Sequence, residues 1–261
     1  MKILKILGVL VAPLVVGPLL AIGEIKPMGK AWWEASRESA DLAPNPATTQ
    51  EAVVQVYAAR AFSWRGLLGI HTWIAVKPTK ASSFTVYQLV GWRLRRGANA
   101  VVIEQDIPDR LWYDAIPEVL ADIRGDGVDA IIEKIDGAAR SYPYSDTYSV
   151  WPGPNSNTFT AWIARRVPEL QLDLPPTAIG KDWLGVDGPF SKSPSGTGYQ
   201  LCLFGVMGFL VGLQEGVEIN VAGLNFGLDP LELSIRLPGL GKLGANRSVR
   251  PRYLASKAIN H

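Results

Sequence analysis

Two side chains in this sequence could share an acyl-transfer step: the hydroxyl of Ser156 and the imidazole of His71. A serine becomes a nucleophile when a neighbouring base takes its proton, and the N-terminus of a helix stabilises the oxyanion that follows through unpaired amides and the positive end of its dipole. The chain holds two histidines, and the other, His261, is its last residue, so an imidazole base has to be His71. Each group also has a plainer role. Ser156 or Asn155 could simply cap a helix, a contribution of about 1 kcal/mol, and a single strand histidine is often a hydrogen-bonded structural residue.

The elements that must position them can be read from spacing. Pro152-Gly153-Pro154 cannot continue a helix, while Phe159, Trp162, Ile163 and Val167 fall at helical spacing, so an amphipathic helix is expected to begin near residue 156. His71 to Pro78, Phe84 to Trp92 and Ala100 to Glu104 read as three strands of an antiparallel meander, rich in β-branched and aromatic residues. Val53, Val54, Val56 and Tyr57 fit either a first strand or a short helix. Pro117 is expected to open a helix running through Ile123, and Val128, Ile131, Ile132 and Ile135 define another to about Arg140. Tyr144, Tyr148 and Trp151 form an aromatic loop just ahead of Ser156. It is either the wall of a pocket for an acyl chain or a sugar, or surface packing. Lys181 is an alternative base for Ser156, with solvent exposure as its default.

The run Asn155-Ser156-Asn157-Thr158-Phe159-Thr160 resembles the Asn-Cys-Glu-His-Phe-Val type motif of circularly permuted papain-like proteins, the lecithin:retinol acyltransferase and permuted NlpC/P60 group. In that group a strand histidine precedes a cysteine at a helix N-terminus. The resemblance spans roughly residues 66 to 167. It implies an α+β fold with packed helices, Ser156 in the cysteine's place, His71 as base, and Gln88, in Val86-Tyr87-Gln88-Leu89, as the residue orienting the imidazole. It further implies an oxyanion site at the helix start beside Asn155 and Asn157, and amide or ester substrates such as wall peptides or lipid acyl groups. The substitution of serine for cysteine divides the reading, because a thiol-tuned site does not activate an alcohol. The protein is then either a serine-adapted hydrolase or acyltransferase, or a catalytically silent module that binds lipid or a protein partner. The whole chain, with its Trp-Pro-Gly-Pro-Asn-Ser-Asn-Thr-Phe run and Gly-rich C-terminal region, is also similar to an uncharacterised bacterial family of unknown function.

Composition narrows the remaining classes. A 261-residue chain with 48% hydrophobic residues can bury a substantial core. A net charge of +2 and no basic stripe give no expectation of nucleic-acid binding. The single Cys202, in an apolar run, excludes an internal disulfide and any paired-cysteine metal or redox site, and reads as a small buried hydrophobe. No metal or other cofactor is expected. The polar turn Glu104 to Arg110 reads as a solvated loop, and Ser195-Gly196-Thr197-Gly198 as a turn lacking the ending of a phosphate loop.

Residues 1–23 are a membrane anchor or signal segment: Lys2 and Lys5 precede 18 uncharged residues, Ile6 to Gly23. The basic residues ahead of that run place the bulk of the chain on the extracytoplasmic, periplasmic side. The expected organisation continues with a tether (24–50) carrying Trp32 and Trp33 at headgroup level, the papain-like core (51–192), a Gly-rich β extension (193–246) and a basic tail (247–261). Val217 to Val221 and Leu231 to Leu237 alternate with period two, so the extension is expected to add strands to the core sheet or to lie against membrane lipid.

Overall fold

The structure is a computed structural model that describes residues 31–244 and 249–254. The anchor segment, the first part of the tether, Arg247 and Lys257 lie outside the described residues. The architecture is mixed α/β, with two sheets and few helices.

Strands β1 (Val53–Arg60), β2 (Ile70–Lys77), β3 (Thr85–Leu89), β4 (Val101–Gln105), β5 (Glu118–Gly125) and β13 (Arg252–Leu254) form the first sheet, in the order β13-β5-β1-β2-β3-β4. The expected meander is β2-β3-β4, antiparallel throughout. The alternative left open at Val53 resolves to a strand, paired with β2 over its whole length from Val53↔Lys77 to Arg60↔Ile70. The helix expected from Pro117 to Ile123 is instead β5. Its Glu118 to Arg124 segment fills the free edge of β1, and that pairing outweighs the helix-start signal of the proline. At its outer edge β5 carries β13, a parallel strand from the basic tail.

Helix α1 (Val128–Arg140) lies where the spacing of Val128, Ile131, Ile132 and Ile135 puts it. Helix α2 (Ser156–Arg166) starts as expected but is not amphipathic in place: Ser156 through Arg165 are all buried. Both helices cover one face of the first sheet, where Ile70, Ile74, Val76, Tyr87 and Leu89 meet Ile135, Phe159 and Ile163. The opposite face carries Val53, Tyr57, Trp73, Ala75 and Val86. Residues 35 to 46 and the loop 106 to 116 cover it, tied together by buried Asp109, which accepts from the amides of Leu42 and Ala43 (2.6 and 3.0 Å) and from Ser39 Oγ (2.8 Å). Part of the expected tether is therefore packed structure.

The Gly-rich region does not extend the core sheet. It makes a second antiparallel sheet from β6 (Phe190–Lys192), β7 (Gly198–Leu203), β8 (Met207–Gly212), β9 (Gly216–Val221), β10 (Leu224–Asp229), β11 (Ser234–Leu237) and β12 (Gly241–Leu243), arranged in chain order.

Candidate functional site

The start of α2 is a capping arrangement. Asn155 Oδ1 accepts from the amides of Asn157 (3.0 Å) and Thr158 (3.1 Å), and Thr158 Oγ1 accepts from the Asn155 amide (3.1 Å), a reciprocal capping box. Asn155 Nδ2 donates to the carbonyls of Val150 and Ile179, and Asn157 Nδ2 to those of Ile70 and Ile179. Gly180 permits this approach: at φ +95° it already sits in the left-handed region, and a Cβ there would lie 2.4 Å from Asn155 Nδ2. The Asn157 amide is thus engaged by Asn155 and is not free for an oxyanion. Thr72 fastens the helix to β2, its hydroxyl lying 2.9 Å from Thr160 Oγ1 and 3.1 Å from Asn157 Oδ1.

Thr72 also decides the relation between Ser156 and His71. Neighbouring strand residues point to opposite faces. Thr72, Ile70 and Ile74 face α2, whereas His71 and Trp73 face the other side, where the imidazole stacks on Trp112 with ring centroids 3.6 Å apart. Gln88 lies on that same side, its Oε1 3.1 Å from His71 Nε2. The structure brings together His71 and Gln88, and separately Asn155, Ser156 and Asn157. The sheet stands between the two groups. Burial lowers the His71 imidazole to about 4, opposed in part by Gln88, so it is neutral at neutral pH. A neutral imidazole donates its Nε2–H to the Gln88 oxygen.

Buried Ser156 has a different neighbour, the phenol of Tyr148. Burial raises that hydroxyl above its ordinary value, while Arg65 and the hydroxyl and amide of Ser156 pull it back. The Tyr148 ring packs against Gly91, while Tyr144 stands edge-on to Trp183 and its hydroxyl accepts from the Val186 amide (2.7 Å). Trp151 is half exposed and donates to the Ala222 carbonyl of the second sheet (2.9 Å). The bonds before Pro152 and Pro154 are cis.

Lys181 is no exposed lysine and no base for Ser156. It is buried beneath the second sheet, 2.5 Å from Glu218 and 3.1 Å from Asp182. Burial alone would lower its ammonium, but the charges of Asp182 and Glu218 hold it above its ordinary value. Glu218 also meets Arg236 (2.6 Å), which pairs with Asp173 in turn, and Asn220 and Asn225 donate to Asp182. Cys202 is buried as expected, its thiol pushed up to about 11 chiefly by burial.

The outer face of the second sheet reverses the usual arrangement. Tyr199, Val211, Val217, Leu228, Ile235 and Leu243 pair side by side across six strands. Phe190, Leu201, Phe209, Ile219 and Phe226 form a second row, and Leu203, Met207, Val221 and Leu224 a third. Most of these side chains are exposed, from 38% at Val217 to 64% at Met207. Phe204, Leu213, Leu231 and Leu233 extend the surface at the hairpin tips. Strand carboxylates Glu218 and Asp229 point inward and are buried. Side chains of this size at half exposure leave on the order of 1,000 Å² of apolar surface, against roughly 300–600 Å² for the largest patch of a typical monomer. The alternation is legible in the sequence but its sense is not, since period two does not say which face is inside.

Among the described residues no cluster of three or more His, Cys, Asp or Glu could hold a metal, and no helix is long and apolar enough to cross a membrane. These features define a two-sheet α/β protein whose first sheet carries the buried histidine and whose second presents an apolar face. Residues 51–183, just over half of the chain, match a family described as "Protein of unknown function (DUF3750)", and the chain belongs to that family. No curated protein and no solved structure matches it. The family match ends at Trp183, beside the Lys181–Asp182 pair that holds the second sheet.

Proposed function

We propose that this protein is a membrane-tethered, catalytically silent envelope module that lies on lipid through the outer face of its second sheet, with its bulk on the extracytoplasmic side. The apolar outer face carries the reading. Three adjacent rows of large apolar side chains, with the strand carboxylates turned inward, suit contact with acyl chains and glycerol backbones rather than water. The 18 uncharged residues from Ile6 to Gly23 would hold the chain at the bilayer, which makes such contact intramolecular in effect.

The acyl hydrolase or transferase reading of the papain-like resemblance depends on His71 reaching Ser156. Their placement on opposite faces of the first sheet weighs against it, as does the engaged amide of Asn157. That rival predicts fluorophosphonate labelling abolished by Ser156→Ala; the lipid-binding reading predicts no labelling of either protein.

Vesicles containing nitroxide-labelled lipid test the proposal directly. A fluorophore on Ile219→Cys, in the full chain reconstituted into such vesicles, should be strongly quenched, and one on exposed Lys134→Cys should be quenched little. Equal quenching at the two positions would sink the reading.

A further inference from the structure

Behind the second face of the first sheet, the His71–Gln88 pair backs onto a cavity of about 200 Å³. It is lined by arginines from three separate stretches of chain: Arg37 from the N-terminal segment, Arg93 and Arg96 from the turn of 3-10 helix after β3, and Arg110 from the loop after β4. Trp92, Trp112 and Tyr113 supply the apolar wall.

The charges there do not cancel. Four arginines face two carboxylates, Glu104 and Asp106, a formal excess of two positive charges. Asp106 is taken up by Arg110, and Glu104 stands 3.9 Å from Arg93. No carboxylate pairs with Arg37 or Arg96 among the described residues. Arg37 is held in place instead by the Tyr113 ring, 4.5 Å below its guanidinium, and by the Trp32 carbonyl at 2.9 Å. Arg110 keeps a buried Nε–H with no hydrogen-bond partner, an unusual condition for a buried donor. Gln88 adds a further donor: with its oxygen accepting from His71, its NH2 is the group left to serve the cavity.

We propose that this cavity binds the phosphate monoester group of a small molecule. An excess of two positive charges matches the charge of about −1.5 to −2 that such a group carries at pH 7. Planar guanidinium groups offer paired N–H donors to its oxygens, and the tryptophans cover the body that bears it. A carboxylate would satisfy only half of that charge. The neutral imidazole behind Gln88 fixes the amide's orientation without adding a further cation, so His71 acts here as a positioning residue.

Isothermal titration of the full chain in detergent with glycerol phosphate tests the site, with inorganic phosphate and chloride at matched ionic strength as parallel titrations. Saturable binding of glycerol phosphate, absent for chloride and weakened at least tenfold by the Arg37→Gln/Arg96→Gln double variant but not by Arg140→Gln at an exposed position of α1, is the expected result. Lipid discs containing phosphatidic acid separate the two sources of the group. Binding confined to those discs and weakened by the same double variant supports the site with a lipid headgroup as ligand; binding of free glycerol phosphate supports it with a soluble one. No saturable binding of any phosphate, or equal affinity in the double variant with an unchanged melting profile, would overturn the proposal.

Discussion

In the first sheet Ile74 and Val76 are buried under helices, Trp73 is buried under loops, and the polar side chains at one end of the β2–β3 pair, Thr72, His71 and Gln88, are neutral. In the second sheet Glu218 and Arg236 are buried while Phe209 and Ile219 face outward. Both are antiparallel at their centres and both alternate, so strand geometry does not distinguish them. What differs is the partner each face requires. A sheet covered by its own chain on both sides hides its apolar groups; a sheet docked on that core through ion pairs turns its apolar groups away from it. The second arrangement is stable only if the buried charges are fully matched and the outward face has something apolar to meet.

The largest effect should come from unmatching those charges. Glu218→Ala leaves Lys181 and Arg236 buried against fewer anions, and breaking a buried pair in this way costs about 3–5 kcal/mol. A urea titration should show the midpoint falling accordingly. A loss below about 1 kcal/mol would mean that water reaches these groups and that the comparison between the sheets is overstated.

The first sheet should respond to acid instead. His71 is neutral in both folded and unfolded chains above its ordinary pKa of 6.5. As pH falls from 6.5 towards about 4, the unfolded chain takes up a proton that the buried imidazole refuses, so stability declines with falling pH. At full extent the loss is about 3 kcal/mol, from roughly 1.4 kcal/mol per pKa unit. His71→Gln should lack this component, seen as a smaller difference in urea midpoint between pH 7 and pH 4 than in wild type. Identical pH dependence in the two proteins would place the imidazole in contact with solvent.

Much of the first sheet was legible in the sequence because local signals agreed with tertiary need. The three-strand meander and α1 fall where spacing puts them, and the Asn155 cap was one of the two readings of its motif. The β5 strand was not legible, since Pro117 before an apolar run is also a good helix start and only the open edge of β1 selects against it. Nor was the separation of His71 from Ser156. In a strand buried on both faces, as β2 is from Ile70 to Lys77, every position reads as interior, and the parity that puts Thr72 towards α2 becomes visible only once the helix is placed. The arginine-lined cavity escaped for a related reason: Arg37, Arg96 and Arg110 come from three separate stretches of chain with no shared spacing.

The cap offers a smaller and sharper probe of how the two sheets are joined. Asn155 links α2, packed on the first sheet, to the Ile179 carbonyl in the loop leading to Lys181. Asn155→Ala removes the acceptor for two amides and should cost about 1–2 kcal/mol. Asn155→Asp keeps that acceptor and should recover part of the loss. If both variants melt alike, the side-chain donors to Val150 and Ile179, rather than the cap, carry the stabilisation.

The smallest effect on stability should come from the face that distinguishes the second sheet. Phe209 and Ile219 are about half exposed and sit opposite each other on β8 and β9. Replacing either with Ser removes only the buried half of the side chain, so stability from urea titration should fall by about 1 kcal/mol. Ile74→Ser, at a fully buried position of the first sheet, should cost several times more, because it loses buried apolar surface and buries a hydroxyl. Retention of the Phe209→Ser/Ile219→Ser double variant on lipid vesicles should nevertheless fall, read as loss of quenching by nitroxide-labelled lipid at a fluorophore on Leu201→Cys in the same row. A double variant that stays folded and is equally quenched would show that the apolar rows serve some surface other than lipid. One that is destabilised by several kcal/mol in detergent-free buffer would show that the rows are already covered by protein, and the contrast between the two sheets would then be one of packing order rather than of function.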